Sequence, residues 1–144
     1  MNNQKSARQS PECGAAFRVV GTGLDLAGIS SALGTSPSHV HREGEQGPLG
    51  QAFPLDMWSL ESPLPPTESL DAHVKWLKDA LLPHRAFISS LQKQATLDIY
   101  CNAMLFREQS SLEFSPDALR LFTELNVPLA VSLLLLPEND VHSA

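Results

Sequence analysis

Cysteine is scarce in this chain of 144 residues: Cys13 and Cys101 are the only two, and they lie far apart. They match neither the closely spaced ligands of a zinc site nor the Cys-x-x-Cys pair of a redox motif. Two isolated cysteines of this kind favour reduced thiols over a disulfide. The sequence therefore indicates a cytosolic protein rather than a disulfide-rich secreted scaffold.

The sequence also lacks an excess of basic charge and a long apolar segment. Ten Lys and Arg against 16 Asp and Glu give a net charge of −6, whereas nucleic acids and anionic membranes attract a basic face. The longest apolar run, 127–136, is about half the length of a spanning helix, and residues 1–12 lack the apolar centre of a signal peptide. We predict a cytoplasmic protein that binds neither nucleic acid nor membrane.

Catalytic signatures are missing as well. No Ser stands in the Gly-x-Ser-x-Gly pattern of a nucleophile elbow, and 21–23 lacks the third glycine of a dinucleotide fingerprint. Cys101 is predicted on the buried face of a strand, where a thiol is normally inert. The sequence therefore predicts no catalytic residue and no cofactor, and it does not indicate an enzyme.

The clearest pattern that is present runs from 114 to 137 and predicts a helix followed by a strand. Ser115 suits the N-cap, Pro116 suits the first helical position, and Asn126 suits the left-handed residue that often ends a helix. The strand that follows, to Leu136, is apolar on both of its faces. We expect it to contribute to a protein–protein contact or to lie under the pair of helices predicted on either side of Pro83.

Apolar periodicity predicts the other elements. Strands are expected at 15–21, 56–61 and 97–106, and helices at 26–33, at 70–82 and just after Pro83. Residues 35–55, rich in Gly, Pro, Ser, His and Gln, show no period and are expected to form a loop. A loop of about twenty residues is long for a compact domain and is typical of functional or mobile segments.

The order of these elements predicts an α+β fold. Strand, helix, strand, helix pair, strand, helix, strand is the arrangement of a ferredoxin-like sandwich. Its sheet would be four-stranded and largely antiparallel, with the helix pair inserted between strands 2 and 3. Residues 13–137 would form this single domain, between flexible tails at 1–12 and 138–144.

Three blocks of the sequence carry a resemblance to a known family. They are Phe17-Arg18-Val19-Val20-Gly21 with Leu24-Asp25 and Ile29-Ser30-x-x-Leu33-Gly34, then His39-x-His41-Arg42-x-Gly44 with Trp58-Ser59-Leu60, and finally Phe114-Ser115-Pro116 through Leu125-Asn126-Val127 to Val131. Together they resemble the bacterial domain of unknown function 4279 family over about 15–136. The chain departs from that pattern at 131–134, where a more polar strand is expected. The resemblance implies a single bacterial domain and no particular activity.

Candidate functional residues centre on the segment after Pro37. In an extended chain His39 and His41 point the same way and could reach one metal ion. A zinc site needs one or two further ligands, so we predict that no metal is bound there. The candidate binding surface comprises Arg18, His39, His41, Arg42, Trp58 and Tyr100.

Small size, acidity and the missing catalytic set favour a protein-interaction domain with a protein partner or a homo-oligomer. One specific form is an immunity or antitoxin-like protein whose acidic surface neutralises a cationic partner. The alternative is a ligand-binding or enzymatic domain that uses the His39–Gly44 loop next to Trp58. A pocket joining that loop to Trp58 and Arg18 would favour this alternative, whereas a flat, acidic or apolar surface would favour interaction.

Overall fold

A computed structural model describes residues 11–106 and 111–137 of the chain. Its elements are β1 (Glu12–Gly21), α1 (Leu26–Leu33), β2 (His39–His41), β3 (Asp56–Glu61), α2 (Leu70–Leu81), α3 (Arg85–Leu91), β4 (Thr96–Phe106), α4 (Pro116–Leu125) and β5 (Leu129–Leu136). No helix in this part of the chain is both long and apolar enough to cross a membrane. The predicted tails lie outside the described residues except for 11 and 12, and β1 begins at Glu12, earlier than predicted.

The strands form one five-stranded sheet in the order β2-β3-β1-β4-β5. β1 is antiparallel to both β3 and β4, β2 is antiparallel to β3, and β4 and β5 are parallel. The α+β class and the largely antiparallel sheet are thus confirmed. The count of four strands is wrong, because the segment predicted as a loop contains the short strand β2.

The ferredoxin-like sandwich with an inserted helix pair is not confirmed in the form predicted. α1 leads into β2 rather than directly into β3, and the pair α2 and α3 is itself the connection between β3 and β4. Strand directions make β1 parallel to β2, with β3 between them, and β3 parallel to β4, with β1 between them. The last connection, β4-α4-β5, joins two strands that are direct parallel neighbours.

The core lies between the helices and one face of the sheet, which we call the covered face. Phe17, Val19, Ile99 and Cys101 project from β1 and β4 into it and are fully buried. Trp58 of β3 is buried on the same face, and its indole N–H donates to Ser30 Oγ of α1 at 2.9 Å. The prediction that Trp58 is a core anchor is confirmed.

Both cysteines are free and buried, as predicted for reduced thiols. They lie on the covered face of β1 and β4, where burial raises the pKa of the Cys101 thiol to about 12. A thiol with such a pKa stays protonated at neutral pH and is a poor nucleophile. The expectation of an inert Cys101 agrees with this environment.

The helix caps follow the sequence closely. The Ser115 side chain accepts a hydrogen bond from the backbone N–H of Ala118, Pro116 is the first residue of α4, and Asn126 ends it at φ 54°. Asp25 caps α1 in the same way, by accepting from the backbone N–H of Gly28. These caps satisfy backbone groups that would otherwise have no partner at the helix ends.

The opposite face of the sheet, which we call the open face, carries no helix of the described chain. The expectation that α2 and α3 cover the last strand is wrong, because α2 packs against α4, β1 and β4, and α3 packs against α4. Leu133, Leu134 and Leu135 of β5 are each more than half exposed. The last strand is therefore left uncovered by the helices on both of its faces.

Candidate functional site

Strand pairing brings several of the predicted site residues to the open face. His39, Ser59, Arg18 and Asp98 form one row across β2, β3, β1 and β4. Residues paired across neighbouring strands project from the same face, and adjacent strands are about 4.8 Å apart. Tyr100, two residues after Asp98, follows on the same face. The structure thus brings Arg18, His39 and Tyr100 to one side of the sheet.

Arg18 is engaged by its neighbours in this row. Its Nε and Nη2 donate to the Oδ1 and Oδ2 of Asp98 at 2.9 and 2.6 Å, and its guanidinium carbon lies 4.3 Å from the centre of the Tyr100 ring. The hydrogen bond to Asp98 raises the pKa of Arg18. The Arg18 guanidinium therefore joins β1 to β4 through two hydrogen bonds and a cation–π contact. We interpret its role as structural rather than as the binding of an anionic ligand.

Trp58 does not belong to this surface. Its side chain is fully buried on the covered face, whereas Arg18 and His39 project from the open face. Arg42 lies beyond the end of β2, where its Nη1 donates to the carbonyl oxygen of Leu24 at 2.8 Å. The six candidate residues therefore do not converge on one site.

Asp56, which the sequence analysis did not single out, organises the polar end of the sheet. Its Oδ1 accepts from the backbone N–H of Glu43 at 2.7 Å, and its Oδ2 accepts from that of Leu24 at 2.9 Å. Arg42 Nη1 lies 3.5 Å from the same Oδ2. The hydrogen bond from Glu43, followed by that from Leu24, lowers the pKa of Asp56. This carboxylate therefore ties β3 to the end of β2 and to the approach to α1.

One signal in the sequence could have pointed to Asp56. The alternation that buries Trp58 and Leu60 also places Asp56 on the buried side of the strand. A buried carboxylate needs hydrogen-bond donors, so its partners were to be sought in the loops at that end of the sheet. Their identity follows only from the fold, because Leu24 is distant in sequence.

The two histidines of β2 are in contact with each other. His39 Nε2 lies 3.0 Å from His41 Nδ1, and the His41 ring stacks on Phe53 with 3.5 Å between centres. A hydrogen bond at this distance needs one N–H and one bare nitrogen, so the accepting ring is neutral. Burial, and then the proximity of His39, lowers the pKa of His41. The two imidazoles thus contact each other on β2, and the Phe53 ring packs against the ring of His41.

No metal centre can be assembled around this pair from the described residues. They contain no group of three or more His, Cys, Asp or Glu side chains placed to hold an ion. Two imidazoles alone leave a zinc ion short of ligands. The expectation that no metal binds at His39 and His41 stays a prediction.

A second buried histidine, His73 of α2, contacts Ser62. Its Nδ1 lies 2.8 Å from the Ser62 hydroxyl oxygen, and burial lowers its pKa. Its Nε2 has no hydrogen-bond partner among the described residues, so no carboxylate orients the ring as in a catalytic triad. We interpret the contact as one that holds α2 to the segment after β3.

The second candidate surface is β5 itself. Its residues, Leu-Ala-Val-Ser-Leu-Leu-Leu-Leu, contain neither a charge nor a proline. One edge pairs with β4, and no strand of the described chain pairs with the other. Pairing with β4 places Leu133 and Leu135 on the covered face and Leu134 on the open face, where each is more than half exposed.

A shallow groove of about 420 Å³ adjoins β5 on the open face. Its apolar lining includes Pro66, Met104 and Leu134, and its polar lining includes Asn102 and Ser132. None of the residues that line this groove belongs to the His39–Gly44 loop. The groove therefore extends the apolar surface of β5 and does not join the loop to Trp58 and Arg18.

Comparison with known proteins supplies a family for the chain and no further relative. A family profile described as "Domain of unknown function (DUF4279)" matches residues 11–136. No curated protein and no solved structure matches the chain. The matched residues span every strand and helix from β1 to β5, which confirms the resemblance found in the three sequence blocks.

Proposed function

The chain belongs to the DUF4279 family, whose description carries no activity, and we propose that it is a protein-interaction module without catalysis. The interface is β5 together with the adjoining part of the open face. The observation that carries this proposal is the exposure of Leu133, Leu134 and Leu135 on the two faces of an edge strand. Contiguous apolar surface of this kind marks interaction sites in folded proteins.

The chemistry of the edge supports the proposal. Edge strands are normally protected from pairing by charged side chains, prolines, bulges or short length. Residues 129–136 contain no charge and no proline. An added strand would pair with the free backbone groups of this edge and cover the leucines at the same time, as in β-strand addition.

We further propose that β1 to β4 form a ferredoxin-like unit to which α4 and β5 are added. The order β2-β3-β1-β4 and the two split β-α-β connections support this description. It retains the predicted fold with β2, instead of β5, as one of the four strands. The proposed interface then lies on the added strand.

The immunity or antitoxin-like form of this proposal stays a prediction, as do the bacterial origin and the cytoplasmic location. The net charge of −6 is the observation behind the cationic partner of that prediction, whereas the contact proposed here, at β5, is uncharged. The absence of catalysis in the proposal is supported by Arg18 and Arg42, whose guanidinium groups are engaged within the chain. The burial of Trp58 removes the aromatic residue on which the ligand-binding alternative depended.

Photo-cross-linking of the full chain in the cells that produce it tests the proposal. We would place benzoylphenylalanine at Leu134 and, as a control, at Leu49, which is 91% exposed in the loop before β3. A discrete protein adduct from position 134 and none from position 49 is the expected result. No adduct at 134, or equal adducts from both positions, would contradict an interface at β5.

A further inference from the structure

We infer that the partner of β5 is a second copy of this chain, with the two β5 strands paired antiparallel about a twofold axis. This inference rests on the proposed function and names its partner. Two five-stranded sheets would thereby join into one continuous sheet, with the helices of both copies on the same side. Such an interface is isologous and closes on itself, so it produces a dimer rather than a fibre.

The composition of the rest of the chain argues for a second molecule. Residues 1–10, 107–110 and 138–144 lie outside the described structure, and their sequence is mainly polar. Their apolar residues are Met1, Ala7, Val141 and Ala144. This composition supplies few apolar side chains, whereas the three exposed leucines of β5 offer apolar surface on both faces of the strand.

The sequence of β5 is compatible with pairing to itself. A charged edge would place like charges together across a twofold axis, and 129–136 carries none. In an antiparallel pair, directly opposite residues share a face. A pair centred on Leu133 therefore places Leu133 against its own copy and Val131 against Leu135, so that the covered-face positions meet as apolar pairs.

The response to salt separates this partner from a cationic one. Each copy carries a net charge of −6, so two copies repel each other at low ionic strength, and added salt screens that repulsion. An uncharged contact between like-charged copies therefore tightens as salt is added. A contact with a cationic protein weakens under the same change.

Sedimentation equilibrium of the full chain tests the inference through a charge exchange at Leu133. We expect a dimer for the unchanged chain and for a Leu49→Lys control. Leu133→Lys and Leu133→Glu each place like charges in contact across the axis and should be monomeric. An equimolar mixture of these two variants should dimerise at least about tenfold more tightly than either alone, because opposite charges then meet.

A second set of variants covers the case in which substitution at Leu133 prevents folding. Val131→Lys and Leu135→Glu should each weaken the dimer, whereas the double variant should retain it, since the two positions face each other across the axis. Circular dichroism would verify folding of every variant.

Two results would overturn the inference. One is an unchanged chain that stays monomeric at high salt. The other is a dimer that none of these β5 substitutions affects. If position 134 nevertheless cross-links to a different protein, the interaction function stands and only the identity of the partner is wrong. A monomer without a cross-link at 134 contradicts both proposals.

Discussion

The two edge strands of the sheet, β2 and β5, differ in length, polarity and exposure. At one edge β2 is three residues long, its histidines contact each other, and Phe53 stacks on His41. At the other edge β5 is eight residues long, uncharged and exposed on both faces. The first edge is completed by hydrogen bonds and packing within the chain, whereas no described element covers the second, where we propose the interface.

The difference has a simple physical origin. A short polar strand can be completed by local groups: the two histidines of β2 contact each other, and Asp56 of β3 accepts from the backbone N–H of Glu43 just beyond the end of β2. In an apolar edge strand, the side chains on both faces are buried only if other elements pack on them, and the backbone groups of the free edge pair only with another strand. The single helix that precedes it, α4, packs mainly against α2 and leaves these needs unmet.

The largest contrast is expected from truncating one side chain near each edge. Trp58→Ala should lower the free energy of unfolding by about 3–5 kcal/mol, because it empties a fully buried site. Leu133→Ala, the matched change on β5, should alter it by less than about 0.5 kcal/mol, as is usual for exposed positions. Urea denaturation at low protein concentration measures both. Similar losses from the two variants would contradict the contrast.

Asp56→Asn should cause the next largest loss of stability. It replaces a charged carboxylate, whose two oxygens each accept a backbone hydrogen bond, by a neutral amide with one acceptor oxygen. Its lowered pKa means that the carboxylate stabilises the fold above its unfolded pKa of about 3.9, and that this contribution is lost as pH falls through the lower folded value. The variant should therefore lose stability at neutral pH and show a weaker acid dependence. Glu43→Gln, which keeps the backbone donor, is the control, and an Asp56→Asn variant that matches it would contradict the assigned role.

The β2 edge should respond to pH through His41. Its pKa is lowered in the folded chain, so the unfolded chain binds the proton more readily, and stability falls as pH decreases below about 6.5. His41→Phe should flatten this dependence while keeping an aromatic ring against Phe53. The remaining slope is expected from His73, whose pKa is also lowered. Thermal denaturation from pH 7.5 to 5 measures the effect, and Leu49→Gln, at an exposed position without a titratable group, is the control that should leave the slope unchanged.

The smallest effect on stability is expected from Leu134→Asp on β5. At low protein concentration the free energy of unfolding should change by less than about 0.5 kcal/mol, because the side chain is already exposed. The same variant should lose the association proposed for this edge. A variant that fails to fold would show that Leu134 is covered within its own chain.

Much of the fold could be predicted from local chemistry. The α4 cap at Ser115, its end at Asn126 and the burial of Trp58 all followed from residue type and spacing, and all are confirmed. β2 was missed because three residues, His-Val-His, carry no detectable period. Missing it gave a predicted sheet of four strands, whereas the structure has these four and β2 as a fifth.

The candidate site was predicted less well, because its contacts join distant segments. Arg18 meets Asp98, and Asp56 meets Leu24, across wide separations in sequence. Residue type alone marked Arg18 and the histidines as polar groups with a potential role. It did not show that Arg18 was engaged by Asp98, or that Trp58 lay on the opposite face.

The sequence by itself determined the helices, the main strands and the two-faced apolar character of β5, since these depend on neighbours within a few residues. Only the tertiary structure decided that β5 is an edge strand of the described sheet and that none of the described helices covers it. The physical reason is that exposure depends on which elements pack together: α4 packs with α2 and α3, and α2 packs on the central strands β1 and β4.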